Sequence, residues 1–396
     1  MPLPHDLSGH LQKARCVKED WLMLDSVYCR QLLAELVAIP SVSLHERAVA
    51  ERLAQELRSF GLRPEIVPLE GESCNLICRL RGSEPGRRLI IGGHMDTVPA
   101  AEGWLTDPYR LTERDGRLYG LGAGDMKGGL AACVTVLSGI VQSKSPLKGE
   151  IIFLALADEE RYSIGAHHWA AGKEKADLAI FAEPHFDNIV TGATGKILLR
   201  LSVTGRSGHA AHPKDGVNAV DCMSRFLCAV SDAEDPLYRR GEAASYCVLH
   251  IESRYEGYSL NIPDHCEALM NKQLLTTECA DTYIARLQEI FGALHCGAEL
   301  KIERCIPSYP AYQLPVPFPP LEDLLAVLRQ HGLVPRTQLN QSVSDGNILY
   351  SSLGIPTLLF GPKGVNFHKP NEYVDAKTLY DYCDFLREFI NRWMCK

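Results

Sequence analysis

Two histidines and a set of carboxylates stand at or just after the ends of apolar runs in this chain. His94 and Asp96 follow one such run, Asp125 lies in Gly124-Asp125-Met126-Lys127-Gly128, and Asp158-Glu159-Glu160 follow another run. Glu183 precedes Pro184, and His368 lies near the C-terminus. Imidazole nitrogens and carboxylate oxygens are the donors that hold zinc, at roughly 2.0–2.2 Å, and a catalytic zinc site keeps one position open for water. Two such ions about 3.5–4 Å apart can clamp a hydroxide and polarise a carbonyl. The set holds enough donors for two ions, with one carboxylate shared and one left over as a base.

Each group has a plainer explanation when taken singly. His94 and Asp96 could simply end a strand, although strand alternation puts both side chains on one side of it. In that case His94 is free to bind metal while Asp96 orients the imidazole. Asp125 could cap a helix rich in small residues. Asp158-Glu159-Glu160 could be a solvated acidic turn, the usual meaning of a charge run. Glu183 could close a strand with nothing bound. His209 and His212, in Gly208-His209-Ala210-Ala211-His212-Pro213, could be surface residues of a tight turn. The plain readings become uncomfortable together, because the carboxylates and histidines recur where an open α/β sheet binds ligands, beyond the carboxyl ends of its strands.

The surrounding pattern supplies such a sheet. Arg88-Leu89-Ile90-Ile91-Gly92-Gly93, Ile151 to Ala157, Ala179 to Ala182 and Ile355 to Gly361 read as near-continuous apolar strands. Separated by helical segments, they point to a parallel sheet covered on both faces. Apolar residues at Val49, Leu53, Leu57 and Phe60 mark a helix stopped by Gly61, and Leu379, Cys383, Leu386, Ile390 and Trp393 share one face of a last helix. Asp125 is expected to open a helix through Leu130, Val134 and Leu137.

The middle of the chain changes character. Ile197, Leu199, Leu201 and Val203 alternate with polar residues, as in a half-buried strand. A helix over 217–230, strands over 245–251 and 267–275, a helix over 281–294 and a strand over 299–303 then give the order β-α-β-β-α-β of a ferredoxin-like unit. The fold class expected is therefore α/β, a mostly parallel sheet covered by helices, with an inserted ferredoxin-like α+β domain. Residues 1–193 and 306–396 form the catalytic domain and 194–305 the insert, with the Pro-rich stretch 307–320 as the returning linker.

The chain has 396 residues, 46% hydrophobic and 23% charged, with net charge −8. This is an ordinary globular composition, and the length favours two domains. Mild acidity gives no reason to expect a nucleic acid partner. The 14 cysteines are scattered without a CxxC pair, which argues for a reducing cytosol. No signal peptide or bilayer-spanning run is expected, hence no membrane partner.

Taken in order along the chain, these motifs resemble the M20 family of metallopeptidases and deacylases, from about Leu33 to the end. The resemblance implies two zinc ions, with cobalt or manganese as substitutes. His94 and Glu183 would hold one ion, Glu160 and His368 the other, and Asp125 would bridge them. Asp96 would support His94, Glu159 would be the general acid/base, and His209 would polarise the substrate carbonyl, often across a dimer interface in such proteins. His368 opens His368-Lys369-Pro370-Asn371-Glu372-Tyr373, which resembles the family's closing motif. Asn261, Asp345 and Gly361 match substrate-side positions of the family. The implied reaction is zinc-dependent hydrolysis of the amide in an N-acyl amino acid, by a homodimer formed through the insert. A dipeptidase or carboxypeptidase acting on short peptides, and a non-catalytic binding protein, are the alternatives. Two departures from the pattern stand out. Asn261 lies two residues before Pro263, and Gln273 stands near the position of an arginine that grips the substrate carboxylate. Lys196, Lys272, Arg254 or Lys363 are candidates to replace that grip.

Overall fold

The computed structural model describes residues 26–143, 146–253 and 260–394. Its main strands, in chain order, are β1 (Glu65–Pro68), β2 (Cys74–Arg81), β3 (Glu84–His94), β4 (Lys148–Leu156), β5 (Leu178–Phe181), β6 (Asn188–Ala193), β7 (Gly195–Thr204), β8 (Tyr246–Glu252), β9 (His265–Leu274), β10 (Glu299–Tyr309) and β11 (Thr357–Leu359). The chain divides into two compact units. The first contains the described residues up to Thr191, Leu314–Gln338 and those from Ser352 onward; the second is Gly192–Gln313 with Leu339–Ser351.

In the first unit the strands run in the order β1-β2-β4-β3-β5-β11-β6. The central strands β4, β3, β5 and β11 are parallel, whereas β1 and β2 on one side and β6 on the other pair antiparallel. The centre is the apolar part: Leu89, Ile90 and Ile91 of β3 and Ile151 to Leu156 of β4 are buried. Burial on both faces follows from helices packed above and below, and it explains why these strands show no alternation. The helix Arg47–Ser59 ends at Phe60, with Gly61 in the left-handed region at φ 81°, a conformation that favours glycine. The final helix, Ala376–Met394, buries Leu379, Cys383, Leu386, Ile390 and Trp393.

Two expectations change here. Asp125 does not open a helix. Residues Ala123–Lys127 form a five-residue irregular turn in which Asp125 (φ −123°, ψ 96°) and Met126 (φ −133°, ψ 34°) leave the helical region, and the regular helix is Gly128–Ser143. An Asp inside that turn can point its carboxylate away from the backbone N–H groups instead of capping them. Second, Ala123–Ser143 is apolar and long enough to cross a membrane by length and composition, but 83% of its most apolar stretch is buried inside the protein. It is a core helix.

The second unit is an antiparallel sheet in the order β8-β9-β7-β10, with the helices Ala219–Arg239 and Ala280–Ala293. In chain order this is β-α-β-β-α-β, the ferredoxin-like arrangement. Ile197, Leu199, Leu201 and Val203 of β7 turn inward and join Phe226, Met270, Leu287 and Phe291 in one apolar core. The boundaries 194–305 fall inside this unit. β10 continues to Tyr309, so part of the Pro-rich stretch is strand. Residues 339–351 join the unit because the Asn347 amide donates to Thr194 O (3.0 Å) and Pro310 O (2.9 Å), and Tyr350 stacks on Tyr312.

Lys272 is fully buried in the second unit. Its ammonium donates to Ala244 O at 2.7 Å and pairs with Glu278 (3.1 Å) and Glu234 (3.5 Å), and Arg286 pairs with Glu234 at 3.1 Å. These partners, not a substrate carboxylate, occupy its charge. Removing one member of a buried ionic cluster costs roughly 3–5 kcal/mol, so Lys272→Met is expected to lower stability by about that amount in urea unfolding. An unchanged midpoint with a raised KM would instead make Lys272 the substrate grip.

Candidate active site

Each site residue of the first unit leaves a rigid element at the carboxyl end of the parallel strands or in a loop beside them. His94 is the last residue of β3, Asp158-Glu159-Glu160 follow β4, and Glu183 follows β5. Asp125 sits in the irregular turn before the helix Gly128–Ser143, and its peptide bond to Met126 is cis. The turn after β5 is clamped by glycines. A Cβ on Gly129 or on Gly361 would each come within 2.2 Å of Ala182 O, one residue before Glu183. Close backbone approach, rather than a special φ, is what requires glycine at 361.

The structure brings four of the five expected ligands together, His94, Asp125, Glu160 and His368. His94, Asp125 and Glu160 each offer one donor atom, all within 4.8 Å of one another. His94 Nε2 lies 3.0 Å from Asp125 Oδ1, and its Nδ1 is 3.0 Å from the backbone carbonyl of Asp96. A carbonyl only accepts, so Nδ1 carries a proton and Nε2 is the nitrogen that faces the cluster, donating to Asp125 while the ring is protonated and offering its lone pair once it is not. His368 Nε2 reaches Glu160 Oε2 at 2.9 Å and Asp125 Oδ2 at 3.5 Å. Asp125 therefore stands between the two imidazoles. Glu183 is buried, and its charge acts on the His94 ring.

Asp96 organises the cluster from beneath and is fully buried. Its carboxylate accepts the Ser43 hydroxyl (2.7 Å) and the backbone N–H groups of Glu159 (3.0 Å) and Glu160 (3.1 Å), and lies 3.5 Å from His94 Nδ1. One carboxylate thus sets both the His94 ring and the turn that carries the two glutamates. Asp158 turns inward: it is fully buried at φ 64°, and its carbonyl accepts from Tyr162 N and Ser163 N. The acidic run is therefore a structured corner, with Asp158 as its buried pivot.

Electrostatics follow from this crowding. Burial alone would lower the His94 pKa, yet hydrogen bonds to Asp125 and Asp96 hold it well above the ordinary value. Burial would raise Asp125, but the bonds from His368 and His94 depress it below the usual carboxylate range. Glu160 is pushed up, because burial outweighs the bond from His368. Protonated imidazoles thus neutralise carboxylates whose donor atoms converge on one another. Divalent cations would take over that neutralisation with the same donors deprotonated, so the donor set fits a metal centre.

The remaining expected residues belong to the second unit. His209 and Asn261 are opposite one another in an antiparallel bridge, supported by Ala210 N to Leu260 O (2.7 Å) and Ile262 N to Gly208 O (2.8 Å). Bridge partners project to one side, so these two side chains share a face, and the His212 ring lies 5.8 Å from the His209 ring. Asp345 is buried at the start of the helix Asp345–Leu353. Gln273 meets Thr194, with Oε1 and Oγ1 3.4 Å apart. Among the cations weighed as substrate grips, Lys363 pairs with Asp187 at 2.6 Å, Lys196 lies over the Tyr309 ring, and Arg254 lies outside the described residues.

Sequence reasoning missed two supports. Glu372 is buried and accepts three backbone N–H bonds from the Asp125 turn. Lys127 is buried and donates to Leu36 O (3.0 Å) and Ile39 O (2.8 Å) at the end of the helix over 26–37. A cation suits the carbonyls at a helix C-terminus. Both residues stand inside motifs noted above, but their burial is visible only in three dimensions.

Histidine and carboxylate donors converging at the carboxyl ends of a parallel sheet fit a metal-dependent hydrolase. Residues 90–392 match peptidase family M20/M25/M40, and the chain belongs to that family. It is 29% identical over 368 residues to acetylornithine deacetylase of Shigella sonnei (strain Ss046), across 88% of this chain and 93% of that protein. Its fold is similar to that of a tripeptidase from Staphylococcus aureus, with TM-score 0.79 and 22% identity over 94% of this chain and 99% of the other. A dinuclear metal binding peptidase of the M20 family from Bacillus subtilis aligns with TM-score 0.73 and 15% identity over 93% and 98% of the two chains. This chain is an M20-type hydrolase acting on amide bonds.

The titration of His368 gives a test of the metal-free protein. Bonds to Asp125 and then Glu160 push its imidazole up to about 10. The folded value exceeds the unfolded one of about 6.5, so its stabilisation is complete below that pH and is lost as pH rises toward 10. The Tm of chelator-treated protein is expected to fall between pH 7 and 10, and His368→Gln to flatten that fall. Identical profiles for the two proteins would contradict the ion pairs.

Proposed function

We propose that this protein is a two-metal hydrolase that cleaves the amide of N-acyl amino acids, as a deacetylase-like enzyme of the cytosol. The observation that carries the reading is the convergence of His94, Asp125 and Glu160 within 4.8 Å, with His368 on Asp125 and Glu160. His94 with Glu183 would hold one ion, His368 with Glu160 the other, and Asp125 would be shared. Imidazole and carboxylate donors suit zinc, with cobalt or manganese acceptable. Bound there, the ions would lower the pKa of a water and polarise the scissile carbonyl.

The chain's own groups supply the rest. Glu159 takes the proton of the attacking water and later delivers it to the leaving amine, which departs neutral. Its backbone is fixed by the Asp96 carboxylate, so the glutamate works from a rigid turn. Asp96 holds the His94 tautomer that aims Nε2 at the cluster. His209 donates a hydrogen bond to the carbonyl oxygen as negative charge develops there. Asn261 shares the face of His209 and would contact the same substrate. Asp345, buried at a helix start, and Gly361, packed on the Glu183 turn, would be the substrate-side residues that the family resemblance implies.

The 29% identity with acetylornithine deacetylase over most of both chains favours an acylated amino acid as substrate. A second reading, an exopeptidase acting on short peptides, draws support from the tripeptidase of similar fold. A panel of N-acyl amino acids against di- and tripeptides, with zinc-loaded protein, separates them. Higher kcat/KM on N-acetyl amino acids is expected; higher values on peptides would overturn the first reading. Glu159→Gln is expected to lose about 10²–10⁴-fold in kcat with metal fully retained, and wild-type turnover would remove Glu159 from this role.

A homodimer through the insert belongs to the same proposal. The edge strand β8 exposes Leu249 (55%) and Ile251 (47%), and an apolar sheet edge invites pairing with another chain. Light scattering is expected to give twice the chain mass for the wild type and the single mass for Leu249→Glu. A monomeric wild type would refute the dimer.

A further inference from the structure

Glu372 has no place among the expected ligands, yet it is only 1% exposed. Its Oε2 accepts the N–H of Gly122 at 3.0 Å, and its Oε1 accepts those of Gly124 and Asp125, each at 2.9 Å. Its backbone carbonyl accepts a further N–H, from Gly120 at 3.1 Å. The turn holds itself only in part: Ala123 N donates to Gly120 O (3.1 Å) and Lys127 N to Gly122 O (2.8 Å), while the N–H groups of Gly122, Gly124 and Asp125 go to Glu372. Gly122 is left-handed at φ 75°, Asp125 and Met126 have non-helical angles, and regular helical bonding begins only with the helix at Gly128. Buried N–H groups left without acceptors are costly, and this carboxylate supplies acceptors for three of them.

The position of Glu372 in the chain adds a second consequence. It lies four residues after His368 and leads into the strand Tyr373–Asp375, which pairs with Arg117–Tyr119. A single side chain therefore ties the loop bearing His368 to the turn bearing Asp125. Lys127 fastens the far end of that turn to the carbonyls of Leu36 and Ile39.

We propose that Glu372 is the positioning residue of the metal centre, fixing the Asp125 turn against the loop that carries His368 through its three backbone hydrogen bonds. Both of its carboxylate oxygens are taken by backbone N–H groups of that turn. The proposal rests on the two-metal reading above. Its chemistry demands a carboxylate, because both oxygens act as acceptors. A glutamine offers one acceptor oxygen and turns an NH₂ group toward at least one N–H donor.

The test uses Glu372→Gln, Glu372→Asp and wild type, each stripped of metal and titrated with cobalt(II), whose visible absorption reports ligand geometry. Outer partners of metal ligands typically govern affinity by 10–100-fold. Glu372→Gln is expected to bind cobalt about 10-fold or more weakly, to show an altered spectrum, and to lose kcat while KM stays within about twofold. Wild-type affinity, spectrum and kcat in Glu372→Gln would overturn the proposal. Should that variant not fold, Glu372→Asp keeps the charge but withdraws it by one methylene, and wild-type affinity and spectrum there would overturn it equally. Wild-type protein that takes up no cobalt would defeat the two-metal reading itself, an outcome told apart because it appears without any substitution.

Discussion

Asp125 stands between two imidazoles, and the rest of the centre is arranged around that placement. Its oxygens face His94 at 3.0 Å and His368 at 3.5 Å, while Glu160 approaches from the side of His368. Carboxylates this close repel one another unless positive charge lies among them. In the metal-free protein the imidazoles are the groups placed to carry that charge, since hydrogen bonds to Asp125, and to Asp96 or Glu160, hold both above the ordinary histidine value. The same geometry that strains an uncompensated cluster is what gives divalent cations a prepared set of donors.

Holding such a cluster requires a stiff base, and the fold provides it in layers. The parallel centre of the sheet ends His94, the acidic turn and Glu183 at neighbouring strand tips. Asp96 then couples the His94 ring to the turn of Glu159 and Glu160. Glu372 and Lys127 brace the irregular turn of Asp125 from two directions. Buried charges of this kind are costly unless fully hydrogen-bonded, and each of these three has several partners. The site is therefore supported by polar groups whose own burial depends on the loops they fix.

Much of this was legible in the sequence. The apolar runs before His94, Asp158 and Glu183 announced buried strands because both faces are covered, and alternation in β7 announced a sheet with one face to a core. The ferredoxin-like order of the insert followed from periodicity alone. What periodicity could not reach was irregular backbone. The glycines flanking Asp125 read as a helix start, whereas the chain turns first and becomes helical three residues later. Burial of isolated charges was equally hidden. Lys272 looked like a substrate grip until the structure paired it with Glu234 and Glu278, and Glu372 looked like one more residue of a closing motif. The extension of the second unit to 339–351 depends on the Asn347 side chain bonding two distant carbonyls, a long-range contact with no local signature.

The central claim is that these side chains cage a pair of cations. Anomalous diffraction at the zinc absorption edge, from crystals of zinc-loaded protein, tests it directly. Two adjacent peaks flanking the Asp125 carboxylate, one beside His94 and Glu183 and the other beside Glu160 and His368, are predicted. No peak within that cluster, or zinc bound only elsewhere on the chain, would contradict it.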